Sequence, residues 1–161
     1  MHTDRTSKRC FVISPIGEEG SDVRKHADDV FDYLIEPAMK ECRISAIRSD
    51  HLDKPGRITD QMFRSIFESD LCVAVLTGNN PNVFYELAVA QSAKRPVIIL
   101  IEKNHTLPFD IKDLRCIQYD LGIRSYNEKT HIKRLVTFIN DFSSNAWVAE
   151  DMFSSYRAPT M

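Results

Sequence analysis

The residue whose surroundings invite chemistry is Glu86. It lies in Pro81-Asn-Val-Phe-Tyr-Glu-Leu-Ala-Val-Ala-Gln-Ser92, a largely apolar stretch with no Lys or Arg within one helical turn of the carboxylate. At helical spacing its same-face neighbours are Asn82, Val83, Val89, Ala90 and Ala93. A carboxylate so placed must draw a cation from another element, take up a proton, or face a cavity. Facing a cavity, it is suited to acid–base or nucleophilic work. Paired with a distant arginine, it is half of a structural ion pair, which perturbs a carboxylate just as readily.

Other polar groups stand where they could serve the same site. Pro15-Ile-Gly-Glu-Glu-Gly20 is a loop whose two glycines let backbone approach a ligand, although its spacing fits neither the dinucleotide fingerprint nor the P-loop. Arg24 follows it by one turn of helix, as a phosphate contact or a surface arginine. Arg48 and Asp50 follow a second apolar run. Arg48 has two readings, an ion pair with Glu86 or a phosphate contact; Asp50 holds a ribose hydroxyl or caps its loop. Phe84 and Tyr85 divide into one core and one pocket residue. His26, His51, His105 and His131 are scattered, and no Ser/His/Asp or Cys/His arrangement is evident.

The elements that must position these groups are legible from periodicity. Apolar runs at Cys10–Ser14, Ile44–Ile47, Leu71–Leu76, Val97–Ile101 and Arg115–Tyr119 read as strands, the third too uniformly apolar to have a solvent face. Between them lie helical patterns. The first, capped by Ser21 or Asp22 and running to about Cys42, carries Ala27, Val30, Phe31, Leu34, Ile35 and Ala38 as its stripe; Pro37 predicts a kink or break. The second spans about Arg57–Ser69, with Ile58, Met62, Phe63 and Ile66 inward. In the third, Asn80 is a good N-cap and Pro81 a good first residue, since proline lacks the N–H that would be orphaned there. The last, Ser125–Phe142, has Ile132, Leu135, Val136 and Ile139 as its stripe.

This alternation predicts an α/β fold, a doubly wound five-stranded parallel sheet of flavodoxin-like order 2-1-3-4-5. Its topological switch lies between the first and third strands, and ligands bind at the strands' carboxyl ends there. The loops Pro15–Gly20 and Thr77–Asn82 would flank that crevice, with Glu86 above the second. The expected organisation is a polar tail over 1–9, one domain over 10–143, and a tail or short helix over 144–161, in which Ala146, Trp147, Val148, Met152, Phe153 and Tyr156 form an apolar side.

Composition narrows the class. The chain has 161 residues, 43% hydrophobic and 27% charged, with a net charge of -2. It is long enough for one proper core and carries no basic footprint for nucleic acid. The N-terminus is polar and no apolar run is long enough to span a bilayer, so a cytoplasmic, membrane-free protein is expected. The four cysteines, at 10, 42, 72 and 116, have no zinc-like spacing and read as buried free thiols, with no metal.

Phe11-Val-Ile-Ser-Pro-Ile-Gly17, Arg24, Ala27-Asp28, Arg48-Ser-Asp50, Pro55-Gly56, Ile58 and above all Asn80-Pro-Asn-Val-Phe-Tyr-Glu-Leu87 resemble a bacterial group of TIR-like proteins. That group is related to nucleoside 2-deoxyribosyltransferases and often acts in antiphage defence. Pro108-Phe-Asp110, Arg115 and Tyr119-Asp120 fit its later pattern. The resemblance implies a TIR-like domain in which Glu86 is catalytic, acting at the anomeric carbon of a ribosyl or deoxyribosyl group. It offers Ser14, Pro15, Ile16, Gly17, Arg24, Arg48, Asp50, Thr77, Asn80, Asn82 and Tyr85 as substrate-binding residues. It further implies NAD as substrate rather than cofactor, and assembly into homo-oligomers on activation.

The expected reaction is cleavage of the nicotinamide–ribose bond of NAD+ or a related nucleotide. A carboxylate can stabilise or trap the oxocarbenium charge that develops when an N-glycosidic bond breaks. Nicotinamide leaves without needing a proton, whereas adenine or a pyrimidine wants an acid. Three positions depart from the group's pattern: Val75 replaces a common aspartate, Ala88 a glycine and Gln91 a histidine. Loss of the aspartate at Val75 counts against the alternative of a nucleoside 2-deoxyribosyltransferase. All three departures favour the other alternative, a catalytically silent nucleotide-binding or TIR-type assembly module.

Overall fold

In the computed structural model, which describes residues 7–51, 58–108, 111, 114, 116–121 and 124–149, the five apolar runs lie side by side as parallel strands. They are β1 (Lys8–Ile13), β2 (Ile44–Arg48), β3 (Leu71–Val75), β4 (Val97–Glu102) and β5 (Cys116–Tyr119), in the order β2-β1-β3-β4-β5. The helices are α1 (Asp22–Val30), α2 (Glu36–Glu41), α3 (Ile58–Glu68), α4 (Pro81–Ser92) and α5 (Arg124–Ser144). The flavodoxin-like α/β fold expected from the alternation is the one observed. Pro55, Gly56, Arg57, Phe109, Asp110, Arg115, Met152, Phe153 and Tyr156, which entered the sequence reading, lie outside the described residues.

The central strand is buried along its whole length because each face meets its own layer. Leu71, Val73 and Val75 pack with the stripe of α1, α2 and α5; Cys72, Ala74 and Leu76 pack with α3 and α4. The first stripe is wholly inside, from Ala27 through Val30, Phe31, Leu34 and Ile35 to Ala38. Pro37 does not break the helix. The turn before it opens into a π-helical turn, Phe31–Ile35, where the Glu36 N–H reaches back to the Phe31 carbonyl. The wider turn makes room for a ring that would otherwise press on the carbonyl four residues earlier.

On the other layer, Val83, Leu87 and Ala90 anchor α4, the two larger side chains contributing roughly 2 kcal/mol each by burial. Those anchors fix the rotation of α4, and with it the flank on which Glu86 sits. At the far end, Ala146 and Trp147 do not begin a helix. Both have positive φ, the Trp147 N–H bonds to the Phe142 carbonyl, and the indole rests against the α1–α5 core. This closes α5 in the manner of a left-handed helix C-terminus. No helix among the described residues is long and apolar enough to cross a membrane.

Candidate functional site

Two loops leave the carboxyl edge of the sheet at the switch point. After β1, the chain turns at Gly17, whose φ is +65° and where a Cβ would lie 2.8 Å from Ser21 Oγ. Glycine is therefore required twice over, for conformation and for space. Ser21 Oγ donates to the Glu18 carbonyl and accepts from the Arg24 N–H, capping α1. After β3, Gly78 and Asn79 both take left-handed φ and swing the chain into α4. Asn80 caps that helix by accepting from the Asn82 N–H at 2.9 Å, as its position before Pro81 foretold.

Between these loops opens a cleft of about 510 Å³. Ser14, Pro15, Thr77 and Asn80 of the expected binding residues line it, together with Asp22, Val23, His26, Ala27, Val75, Gly78, Asn79, Pro81 and Glu102. Ile16, Gly17, Arg24, Arg48, Asp50, Asn82, Tyr85 and Glu86 do not. The wall of the cleft is backed by a hydrogen-bonded chain. The Glu102 N–H donates to Thr77 Oγ1 at 2.9 Å, Thr77 Oγ1 lies 2.7 Å from Tyr119 Oη, and Tyr119 Oη lies 2.8 Å from His26 Nε2. If Thr77 donates to Tyr119, Tyr119 donates to His26 Nε2 and the neutral ring carries its proton on Nδ1. Burial raises the Tyr119 phenol, which stays protonated at any ordinary pH.

Glu86 stands on the opposite layer, on α4, half-buried and without a hydrogen-bond or ion-pair partner among the described residues. Burial alone pushes its carboxyl from an ordinary 4.5 up to about 7. The local sequence explains why: Val83 and Ala90, its same-face neighbours, face the core. Tyr85 is 58% exposed, with its ring 5.9 Å from that of Phe63, while Phe84 is the partly buried member of the pair.

Arg48 does not meet Glu86. It is buried at the end of β2, over the Phe31 ring on the α1 face of the sheet, whereas α4 covers the other face. Its Nε and Nη2 donate to the two carboxylate oxygens of Asp50 at 2.6 and 2.7 Å, and Nη2 also donates to Asp28. Arg24 joins through Asp28 at 3.3 Å and Asp50 at 3.0 Å. Burial raises the Asp50 carboxyl, but the hydrogen bonds and charge of Arg48 outweigh it and hold Asp50 below the usual range. These residues form an ion cluster in which Arg24 and Arg48 share Asp28 and Asp50, while the buried Arg48 Nη1 has no hydrogen-bond partner among the described residues.

Sequence reading overlooked Asp22, His26 and Glu102 as site residues. Asp22 and His26 are four apart at the start of the helix that follows the switch loop, a spacing that puts both on one face. Glu102 ends a strand at the carboxyl edge, where ligands bind in this architecture. Among the described residues no group of His, Cys, Asp and Glu is arranged to hold a metal ion.

Compared with known proteins, the chain matches no family model and no curated protein. Among solved structures it is similar to the 2-deoxyribosyltransferase of Bacillus psychrosaccharolyticus, at 12% identity over 70% of this chain and 85% of that one, with a TM-score of 0.55. It is similar also to the CMP N-glycosidase of Clostridium botulinum, at 20% identity over 80% and 98% of the two chains, with a TM-score of 0.50. A conserved protein of Enterococcus faecalis matches at 15% identity over 81% and 87%, also with a TM-score of 0.50. At these identities the likeness is one of fold.

Proposed function

We propose that this protein breaks the N-glycosidic bond of a nucleoside or nucleotide, with Glu86 acting at the anomeric carbon of the sugar. The observation that carries the reading is Glu86 itself: a half-buried carboxyl without a partner among the described residues, its pKa pushed to about 7 by burial. A structural carboxylate at that depth is normally matched by a cation, as Asp50 is by Arg48. The fold shared with a deoxyribosyltransferase and a CMP N-glycosidase supports the same class of bond.

In this reading a Glu86 oxygen forms a bond to C1′ as the C1′–N bond breaks, its electron pair leaving with the base. Water then cleaves the glycosyl ester, giving the free sugar and returning the carboxylate with release of a proton. A second base in place of water would make the protein a transferase. A carboxyl that titrates near 7 is readily ionised by an approaching positive charge. A base that is itself cationic therefore activates its own nucleophile and leaves neutral, without a proton donor. The nicotinamide–ribose bond of NAD+ is the example that the sequence resemblance suggests, together with a role as an antiphage effector.

The test is a product assay at high protein concentration with NAD+ and a panel of nucleosides and nucleotides, beside the Glu86→Gln variant. Release of nicotinamide by the unmutated protein alone is expected. Turnover retained by Glu86→Gln would overturn the assignment. Release of a different base would change the substrate and keep Glu86, and base exchange between deoxynucleosides would make the enzyme a transferase.

A further inference from the structure

His26 is a titratable group that the reaction drawn for Glu86 leaves unused. It lines the cleft from α1, and it is not among the residues that carry the family resemblance. One of its nitrogens is committed: Nε2 lies 2.8 Å from Tyr119 Oη. Tyr119 is fully buried, and its hydroxyl lies 2.7 Å from Thr77 Oγ1, which is itself fixed by the Glu102 N–H. The ring is thus oriented by a chain that runs from α1 through β5 to the loop after β3. The other nitrogen, Nδ1, is neither hydrogen-bonded within the described residues nor buried, which leaves it open to the cleft. Among the described residues, the titratable groups that share its surroundings are Tyr119 on β5, Asp22 on α1 and Glu102 at the end of β4; no Lys or Arg lines the cleft. Asp22 is exposed and Glu102 turns to His105, 3.7 Å away, so neither holds the Nδ1 proton.

A histidine held through one nitrogen, with the other open, is arranged as a proton donor for chemistry near neutral pH. We propose that His26 is a catalytic acid, giving its Nδ1 proton to a departing base that carries no charge of its own, with Tyr119 and Thr77 as positioning residues. Its placement suits that role. α1 and α4 cover opposite faces of the sheet, so a ligand over the edge between β1 and β3 has His26 on one side and Glu86 on the other. Acid and nucleophile flank a scissile glycosidic bond in the same way. The inference rests on the N-glycosidase reading, and adds the proton that nicotinamide does without and a purine or pyrimidine requires. In the charged ring, Nε2–H donates to Tyr119 Oη, which donates on to Thr77 Oγ1. As a Glu86 oxygen bonds to C1′, the C1′–N electron pair leaves with the base and takes up the Nδ1 proton, and the neutral ring keeps its proton on Nε2. Water then cleaves the glycosyl ester, Glu86 leaves as the carboxylate, and the proton released from water returns to Nδ1.

The experiment measures base release against pH from cytidine, uridine, adenosine and guanosine, from their monophosphates and from NAD+. The unmutated protein should release at least one uncharged base, at a rate that falls on the alkaline side as His26 loses its proton. His26→Gln should lower kcat for that base about a hundredfold and remove the alkaline fall. Tyr119→Phe, whose ring still fills its site, should lower kcat less, leave KM in place and move the alkaline fall to lower pH. Thermal unfolding confirms that both variants remain folded. Nitrogen NMR of the ligand-free protein gives a reading independent of turnover: Nδ1 of His26 should exchange its proton with pH while Nε2 stays protonated. An alkaline fall that survives His26→Gln, or release of nicotinamide but of no uncharged base, would overturn the acid and leave Glu86 standing. A neutral ring protonated on Nδ1 would overturn the acid whatever the turnover. Activity lost in His26→Gln but kept in Glu86→Gln would uphold the acid and overturn Glu86. No base released from any of these compounds by the unmutated protein would overturn both.

Discussion

Glu86 and Asp50 are both partly buried carboxyls of the same α/β domain, and the protein treats them oppositely. Asp50 receives two hydrogen bonds from the Arg48 guanidinium and is held below its usual range although burial works against it. Glu86 receives nothing from the described residues, and burial alone carries it to about 7. Burial is common to the two; the cation is the difference. Where an arginine is supplied, the carboxylate becomes part of the scaffold. Where none is supplied by the described residues, the carboxyl meets the cost of burial by holding its proton to higher pH.

The sharpest way to break the comparison is to neutralise Glu86. Glu86→Gln should lower turnover by at least about a thousandfold, the scale of losing a covalent catalyst. It should at the same time stabilise the fold above pH 7. The folded-state pKa of Glu86 lies above its ordinary 4.5, so the folded protein binds the proton more tightly and loses stability as pH rises from about 4.5 to about 7, with no further loss above that. After allowance for solvent screening, the gain in the variant should be on the order of 1–2 kcal/mol at pH 8 and near zero at pH 4. Urea denaturation at the two pH values checks this.

Arg48→Met should have the opposite profile. Removing the cation leaves Asp28 and Asp50 with Arg24 alone and strips Asp50 of its two shortest hydrogen bonds, and a loss of about 3 kcal/mol is expected. Thermal unfolding measures the loss. A drop in melting temperature no larger than that of a surface substitution would show that the cluster is not structural.

Tyr119→Phe removes the hydroxyl that joins His26 to Thr77 and should cost about 1–2 kcal/mol, since two polar partners lose a bond. Its ring still fills the same core site, so chemical denaturation reads the hydrogen bonds alone. The smallest effect is that of Asp50→Asn. The lowered folded-state pKa of Asp50 stabilises the protein above its unfolded value, and that contribution disappears as pH falls through the folded value. The variant should therefore be less stable than the parent near pH 7, by about 1 kcal/mol, and nearly equal to it in strong acid.

Much of the scaffold was legible because its causes are local. The Asn80–Pro81 start of α4 and the stripe from Ala27 to Ala38 each depend on residues a turn or two apart. The sheet order followed from the alternation of strands and helices, since parallel neighbours need helical crossovers. Even Pro37 announced an irregularity, although the chain met it with a wide turn in place of a break. The isolation of Glu86 from any basic residue on its own helix was equally local, and the described structure brings it no partner from elsewhere.

What the sequence could not resolve was the company each polar residue keeps. Arg48 was equally free, on spacing, to meet Glu86 or a phosphate; it meets Asp28, 20 residues away, because β2 and α1 share one face of the sheet. His26 passed for a scattered histidine until the fold set it against Tyr119, 93 residues on, and Tyr119 against Thr77, 42 residues back. Sequence by itself determined the elements, their order and the lack of a basic neighbour for Glu86 on its own helix, since periodicity and capping act within a few residues. Tertiary structure alone decided that Arg24 and Arg48 pair with Asp28 and Asp50 while Asp22, His26 and Glu102 line an open cleft. Those pairings depend on which strand ends and helix faces the parallel crossovers bring within hydrogen-bond reach.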